Sequence, residues 1–147
     1  MTRRMVLRLV FHGALLVVLG MLVGFAFHRA ITEGAGPDTQ RAWRVAHTSL
    51  VGGGALYLAF AAVGQYLLLS PRAAAFTIWS LVIAAYAFAF GFVVGPAIGA
   101  RGLEAIGPPL HVLVFGVLAV GLFLLLIAGC MFLWGSYAAM RALPRQE

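Results

Sequence analysis

The sequence predicts an all-α integral membrane protein, a single domain over residues 1–147 built as an antiparallel bundle of four transmembrane helices. Two observations predict it. Of the 147 residues, 63% are hydrophobic and only 10% are charged, against roughly half and a quarter in soluble domains. The apolar residues are also gathered into four stretches, at residues 9–28, 48–69, 73–98 and 108–134. Each approaches or exceeds the ~20 residues that cross a hydrocarbon core of ~30 Å. Backbone in lipid must satisfy its own hydrogen bonds, so such stretches are helices. With their polar lead-ins they are expected at about 9–28, 44–69, 73–98 and 108–139.

The first segment follows "TRRMVLR", which has a weak twin-arginine look. Its apolar run exceeds the ~7–15 residues of a signal-peptide core and "AFHRA" is a poor cleavage site, so the segment is expected to stay in the mature protein. Gly20 and Gly24 stand at the small-xxx-small spacing that lets another helix approach closely. Between residues 28 and 44 the turn cluster "EGAGPDT" is expected to form a loop. The second segment opens on "RAWRVAHTSLVGGG", which sets His47 at the membrane boundary and Gly52, Gly53 and Gly54 one to two turns later. "SPR", residues 70–72, is a minimal turn, so the second and third segments are expected to form a tight hairpin.

The third segment is lined with Phe76, Trp79, Tyr86, Phe88, Phe90 and Phe92, either rings facing lipid or a wall around a flat ligand. After it, "GPAIGARGLEAIGPP" breaks the helix with Pro96, Pro108 and Pro109. The fourth segment holds the single Cys130, which excludes an intramolecular disulfide and leaves no C-x-x-C-H for covalent haem.

A pI near 10.8 would suit a nucleic-acid binder, but the ten basic residues are all arginines at segment ends, with no basic face. No nucleic-acid partner is expected; the partner is the lipid bilayer. Arg3, Arg4, Arg8, Arg72, Arg141 and Arg145 fall on one side, whereas Arg29, Arg41, Arg44 and Arg101 share theirs with Glu33, Asp38 and Glu104. The positive-inside bias places both termini in the cytoplasm.

The apolar segments hold no charged pair and no acidic cluster, which argues against a proton-driven transporter or an ion pump. The acids and bases of ordinary hydrolysis are missing too, and histidine remains. His28, His47 and His111 share one membrane level, while His12 lies near the opposite one. An interfacial histidine ordinarily bonds backbone or water. His47 is different because His47, Val51, Gly54 and Leu58 share one helical face, flanked by Gly53 and Ala61. That face offers an imidazole beside almost no side-chain bulk. It suits a porphyrin held axially by His47, or a neighbouring helix in the same groove, and the sequence does not separate the two. A lone histidine in an apolar pocket suits haem better than zinc, which takes three or four protein ligands.

Three stretches resemble the styrene oxide isomerases. "FHGALLVVLGMLVGFAF", residues 11–27, is similar to their first helix with its His-Gly pair; "AWRVAHTSLVGGG", residues 42–54, resembles the Trp-x-x-Ala-His opening of their second, covering Trp43, Ala46 and His47; "RGLEAIGPP", from Arg101, resembles the loop before their fourth. The resemblance implies a four-helix protein of the bacterial inner membrane, assembled as a homotrimer with haem b at the subunit interfaces. It implies His47 as the axial ligand, with Trp43, Gly53 and Gly54 beside the cofactor. It also implies Lewis-acid isomerisation of small hydrophobic epoxides to aldehydes, without net redox change.

This chain departs from the family at three polar positions. An asparagine six residues after the haem histidine, and a tyrosine and an aspartate on the third helix, fall on Gly53, Phe92 and Ala84. Each change removes hydrogen-bonding capacity, and Tyr57 and Tyr86 are the candidates for a replacement hydroxyl. A haem-binding protein for electron transfer, sensing or haem handling is therefore the alternative, with His28 or His111 as second iron ligand. A haem-free membrane scaffold is a third.

Overall fold

The computed structural model describes residues 1–143. It consists of α1 (Arg3–Thr32), α2 (Pro37–Gly64), α3 (Pro71–Ile98) and α4 (Pro109–Ala142), in that order, with no strand among the described residues. All four are long and apolar enough to cross a membrane.

The helix ends follow local chemistry. Thr2 caps α1 by accepting from the Met5 N–H, and Ser70 caps α3 by accepting from the Ala73 N–H. Proline opens α2, α3 and α4, where its missing N–H costs nothing and its φ already suits a helix. Gly99, at φ +71, ends α3 in the left-handed conformation, and the Ala100 N–H returns to the Gly95 carbonyl at 2.9 Å. This is the usual glycine stop.

Two boundaries differ from the sequence expectation. The stretch between residues 28 and 44 is mostly helix, because α1 continues to Thr32 and α2 already starts at Pro37. Gly36-Pro37-Asp38 is a helix start, with an acid in the first turn, and polarity there reflects water outside the membrane rather than loop. Conversely α2 stops at Gly64, so the connection to α3 is longer than "SPR". Residues 65–70 fold back against α4, with the Leu68 N–H donating to the Gly135 carbonyl at 3.2 Å.

The helices pair as two hairpins, α1 with α2 and α3 with α4. The first is closed by glycine. A Cβ on Gly20 would lie 2.7 Å from the Val51 nitrogen, and one on Gly54 would lie 2.7 Å from the Gly13 carbonyl oxygen. Only glycine lets the two backbones come that near. Within the second hairpin a Cβ on Gly121 would meet the Ala87 side chain at 3.0 Å. The central helix α3 buries Ile78, Leu81, Ala84 and Ala85 and touches both α1 and α2. Near the terminus-bearing end, the Phe60 and Phe132 rings meet at 4.5 Å between centroids and tie α2 to α4.

Candidate functional site

His47 sits one helical turn after Trp43 on the face of α2 turned to α1, half-buried. Its Nδ1 lies 2.8 Å from the Gly20 carbonyl oxygen. A carbonyl can only accept, so Nδ1 carries the proton and Nε2 keeps its lone pair. Gly24 makes room for the ring, since a Cβ there would stand 3.1 Å from Nδ1 and 3.2 Å from Cε1. The helix-1 glycines therefore form the seat of this imidazole, which fits a histidine meant to ligate through Nε2, because such ligands usually hand their other ring N–H to a carbonyl or carboxylate.

Gly52, Gly53 and Gly54 of α2 point to three different surroundings. Gly54 is packed onto the α1 backbone at Gly13 and Val17, so a neighbouring helix fills the groove at that position, and Gly54 is not available to a flat ligand. Gly52 faces open space. Gly53 lines a partly open cavity of about 190 Å³ to which all four helices contribute, with Ser49, Tyr57, Phe88, Phe92 and Leu125 among its walls. Phe88 and Phe92 stack at 5.8 Å with 14° between their planes.

Gly53 and Phe92, two of the three departures noted in the sequence, thus stand in one cavity. Ala84 does not join them; it is fully buried on the α4 side of α3, beside Gly121. Neither tyrosine supplies the lost donor to this cavity. The Tyr57 ring lines it, but its hydroxyl donates to the Leu81 carbonyl. The Tyr86 hydroxyl pairs with Nδ1 of His12 at 2.9 Å, and Tyr86 lines a separate groove outside α3 and α4. Ser49 carries the other side-chain hydroxyl of the lining. It was legible as one turn before Gly53 on the same face, had the cavity rather than the histidine been the reference.

His47 and the cavity occupy different faces of α2. Gly53 follows His47 by six residues, which is roughly 240° around a helix at ~100° per residue. His28 is exposed in the last turns of α1, at the end of the bundle away from the chain termini, and His111 lies in the first turn of α4. Among the described residues no group of three or more His, Cys, Asp or Glu side chains gathers at metal-binding distance.

No curated protein and no solved structure matches the chain. A model of the styrene oxide isomerase family does, over residues 5–137. That match takes in α1, α2, α3 and nearly all of α4, including His47 and its seat and the Gly53–Phe92 cavity. The chain belongs to the styrene oxide isomerase family.

Proposed function

We propose that the protein binds haem b through Nε2 of His47 and isomerises small hydrophobic epoxides to carbonyl compounds, as a homotrimer in a bacterial inner membrane with both termini in the cytoplasm. The observation that carries this reading is the Nδ1 contact of His47 to Gly20, which leaves a fixed, half-buried imidazole with one free lone pair. When bound, the haem iron supplies a Lewis acid that draws electron density from an epoxide oxygen. Because His47 and the Gly53–Phe92 cavity lie on different faces of α2, the reading has the cavity of one subunit face the His47 of the next.

This chain's residues then have distinct tasks. The Gly20 carbonyl holds the imidazole in its tautomer and orientation. The nearly wholly apolar lining excludes water, which would otherwise trap an opening epoxide as a diol. The Phe88 and Phe92 faces stabilise positive charge developing on the ring-opened carbon. Ser49 is placed to donate to the substrate oxygen. A 1,2-shift moves hydrogen from carbon to carbon within the substrate, so no protein acid or base is required.

The test is the absorption spectrum of the purified protein, oxidised and reduced, together with conversion of an aryl epoxide to its aldehyde. An open coordination site and aldehyde formation are expected. A second reading, haem binding without isomerisation, is favoured by the loss of donors at Gly53 and Phe92, and a six-coordinate bis-histidine spectrum without turnover would establish it. Protein that stays colourless after haem addition overturns both.

Two substitutions probe the cavity. Ser49→Ala is expected to lower turnover about tenfold while leaving the haem spectrum unchanged, since lost transition-state donors typically cost at least that much. The double change Gly53→Asn with Phe92→Tyr is expected to raise turnover by about tenfold or more for the same reason. Space for it exists, because a Cβ on Gly53 meets nothing within 4 Å. Both are read as initial rates of aldehyde formation.

A further inference from the structure

A second concavity lies on the far side of α3 from the site just described. It is a groove of about 960 Å³ between α3 and α4, running from Trp79 past Tyr86 and Val120 to Gly116 and Pro109. Tyr86 and Phe92 are six residues apart and Trp79 and Phe88 nine, so groove and cavity are on different faces of α3. Apart from the Tyr86 hydroxyl and the Trp79 indole, its lining is hydrocarbon.

Its aromatic lining is flanked by two basic side chains of α1. The Arg8 guanidinium lies 5.6 Å from the centre of the Trp79 ring, and His12, one turn on, holds the Tyr86 hydroxyl through Nδ1. The second ring nitrogen of His12 is left over. Both aromatic residues that line this part of the groove are thus gripped by basic side chains of α1. Neither Arg8 nor His12 has an acidic partner among the described residues. The acids there, Glu33, Asp38 and Glu104, all belong to the opposite end of the bundle. Arg8 is about 8 Å along α1 from Arg3, at ~1.5 Å per residue. For a helix of 30 residues that overhangs a ~30 Å core evenly, this is the depth at which headgroups give way to acyl chains.

We propose that the α3–α4 groove binds an anionic phospholipid of the leaflet nearest the termini, its phosphate held by Arg8 and His12 and one acyl chain lying in the groove. Charge complementarity selects this occupant. A neutral helix would leave Arg8 unpaired at the membrane boundary, whereas a phosphate there meets a guanidinium and the second ring nitrogen of an imidazole. The site is independent of His47 and of the proposed reaction.

The full-length protein is equilibrated with mixed micelles containing equal phosphatidylglycerol and phosphatidylcholine, repurified, and its retained lipid identified by native mass spectrometry. Phosphatidylglycerol is expected to be retained at least about fivefold over phosphatidylcholine, the factor one surface arginine contributes. Arg8→Gln should abolish that preference and Arg8→Lys should keep it. Gly116→Leu, whose Cβ meets nothing within 4 Å, should fill the groove and lose both lipids without change in helicity. Equal retention by the wild type, or a preference unchanged in Arg8→Gln, overturns the proposal. So does a Gly116→Leu protein that still retains phosphatidylglycerol, or one that falls into smaller oligomers, which would make the groove a subunit contact.

Discussion

His47→Ala is expected to yield a folded, colourless protein. The side chain is half-buried and packs against Gly24 without entering the fully buried core, so its truncation leaves the four helices in place. The haem iron would lose its protein ligand. Removing an outer partner of a metal-bound histidine costs roughly 10–100-fold in affinity, and removing the ligand itself should cost more. Soret absorbance per mole of protein after haem titration is the measurement, with the α-helical circular dichroism unchanged as the control. External imidazole should restore part of the band, because the vacated volume beside Gly24 can admit it. A variant that keeps the wild-type spectrum would move the ligand elsewhere, with His28 and His111 next to be replaced.

Gly20→Leu is expected to break the molecule rather than the ligand. A Cβ at this position would stand 2.7 Å from the Val51 nitrogen and 3.0 Å from the Leu50 Cβ. The backbone nitrogen cannot step aside as a side-chain tip can, so α1 and α2 must separate along their length. Overpacking a core commonly costs ~1–3 kcal/mol, and a backbone clash in the hairpin seam should reach or exceed the upper end. The same shift carries the Gly20 carbonyl away from His47 and so weakens haem binding. Thermal midpoint in detergent, followed by size-exclusion profile, reads the first effect, and haem titration the second. Gly52→Ala is the matched control, since a Cβ there meets nothing within 4 Å, and it should be neutral.

Hydropathy made the number and nature of the helices legible, because lipid leaves the backbone no other way to satisfy its hydrogen bonds. Their ends were less so. Between residues 28 and 44 polarity predicts a loop, yet outside the hydrocarbon a polar helix is as acceptable as a polar turn, and Gly36-Pro37-Asp38 is the sign of a helix start. The structure seats the His47 ring against Gly20 and Gly24, but the glycines after it do not act as one surface. Periodicity placed Gly54 on the same face as His47, and that face proved to be the seam with α1. Which helix occupies a thin face is a tertiary fact that periodicity does not carry. Tyr57 and Tyr86 illustrate the same limit, since a hydroxyl becomes a candidate donor only if no carbonyl or imidazole has claimed it, and both are claimed.

The seat of His47 is assembled from α1 and α2 alone, joined across residues 33–36. Every contact described for it, to Gly20 and to Gly24, therefore lies within the first 64 residues. During synthesis this hairpin can close in the bilayer before α3 has left the ribosome, since nearby partners meet before distant ones. Biogenesis then has a built-in order in which the imidazole is oriented first, by an N-terminal half that needs no later partner, and the cavity follows when α3 and α4 arrive to wall it.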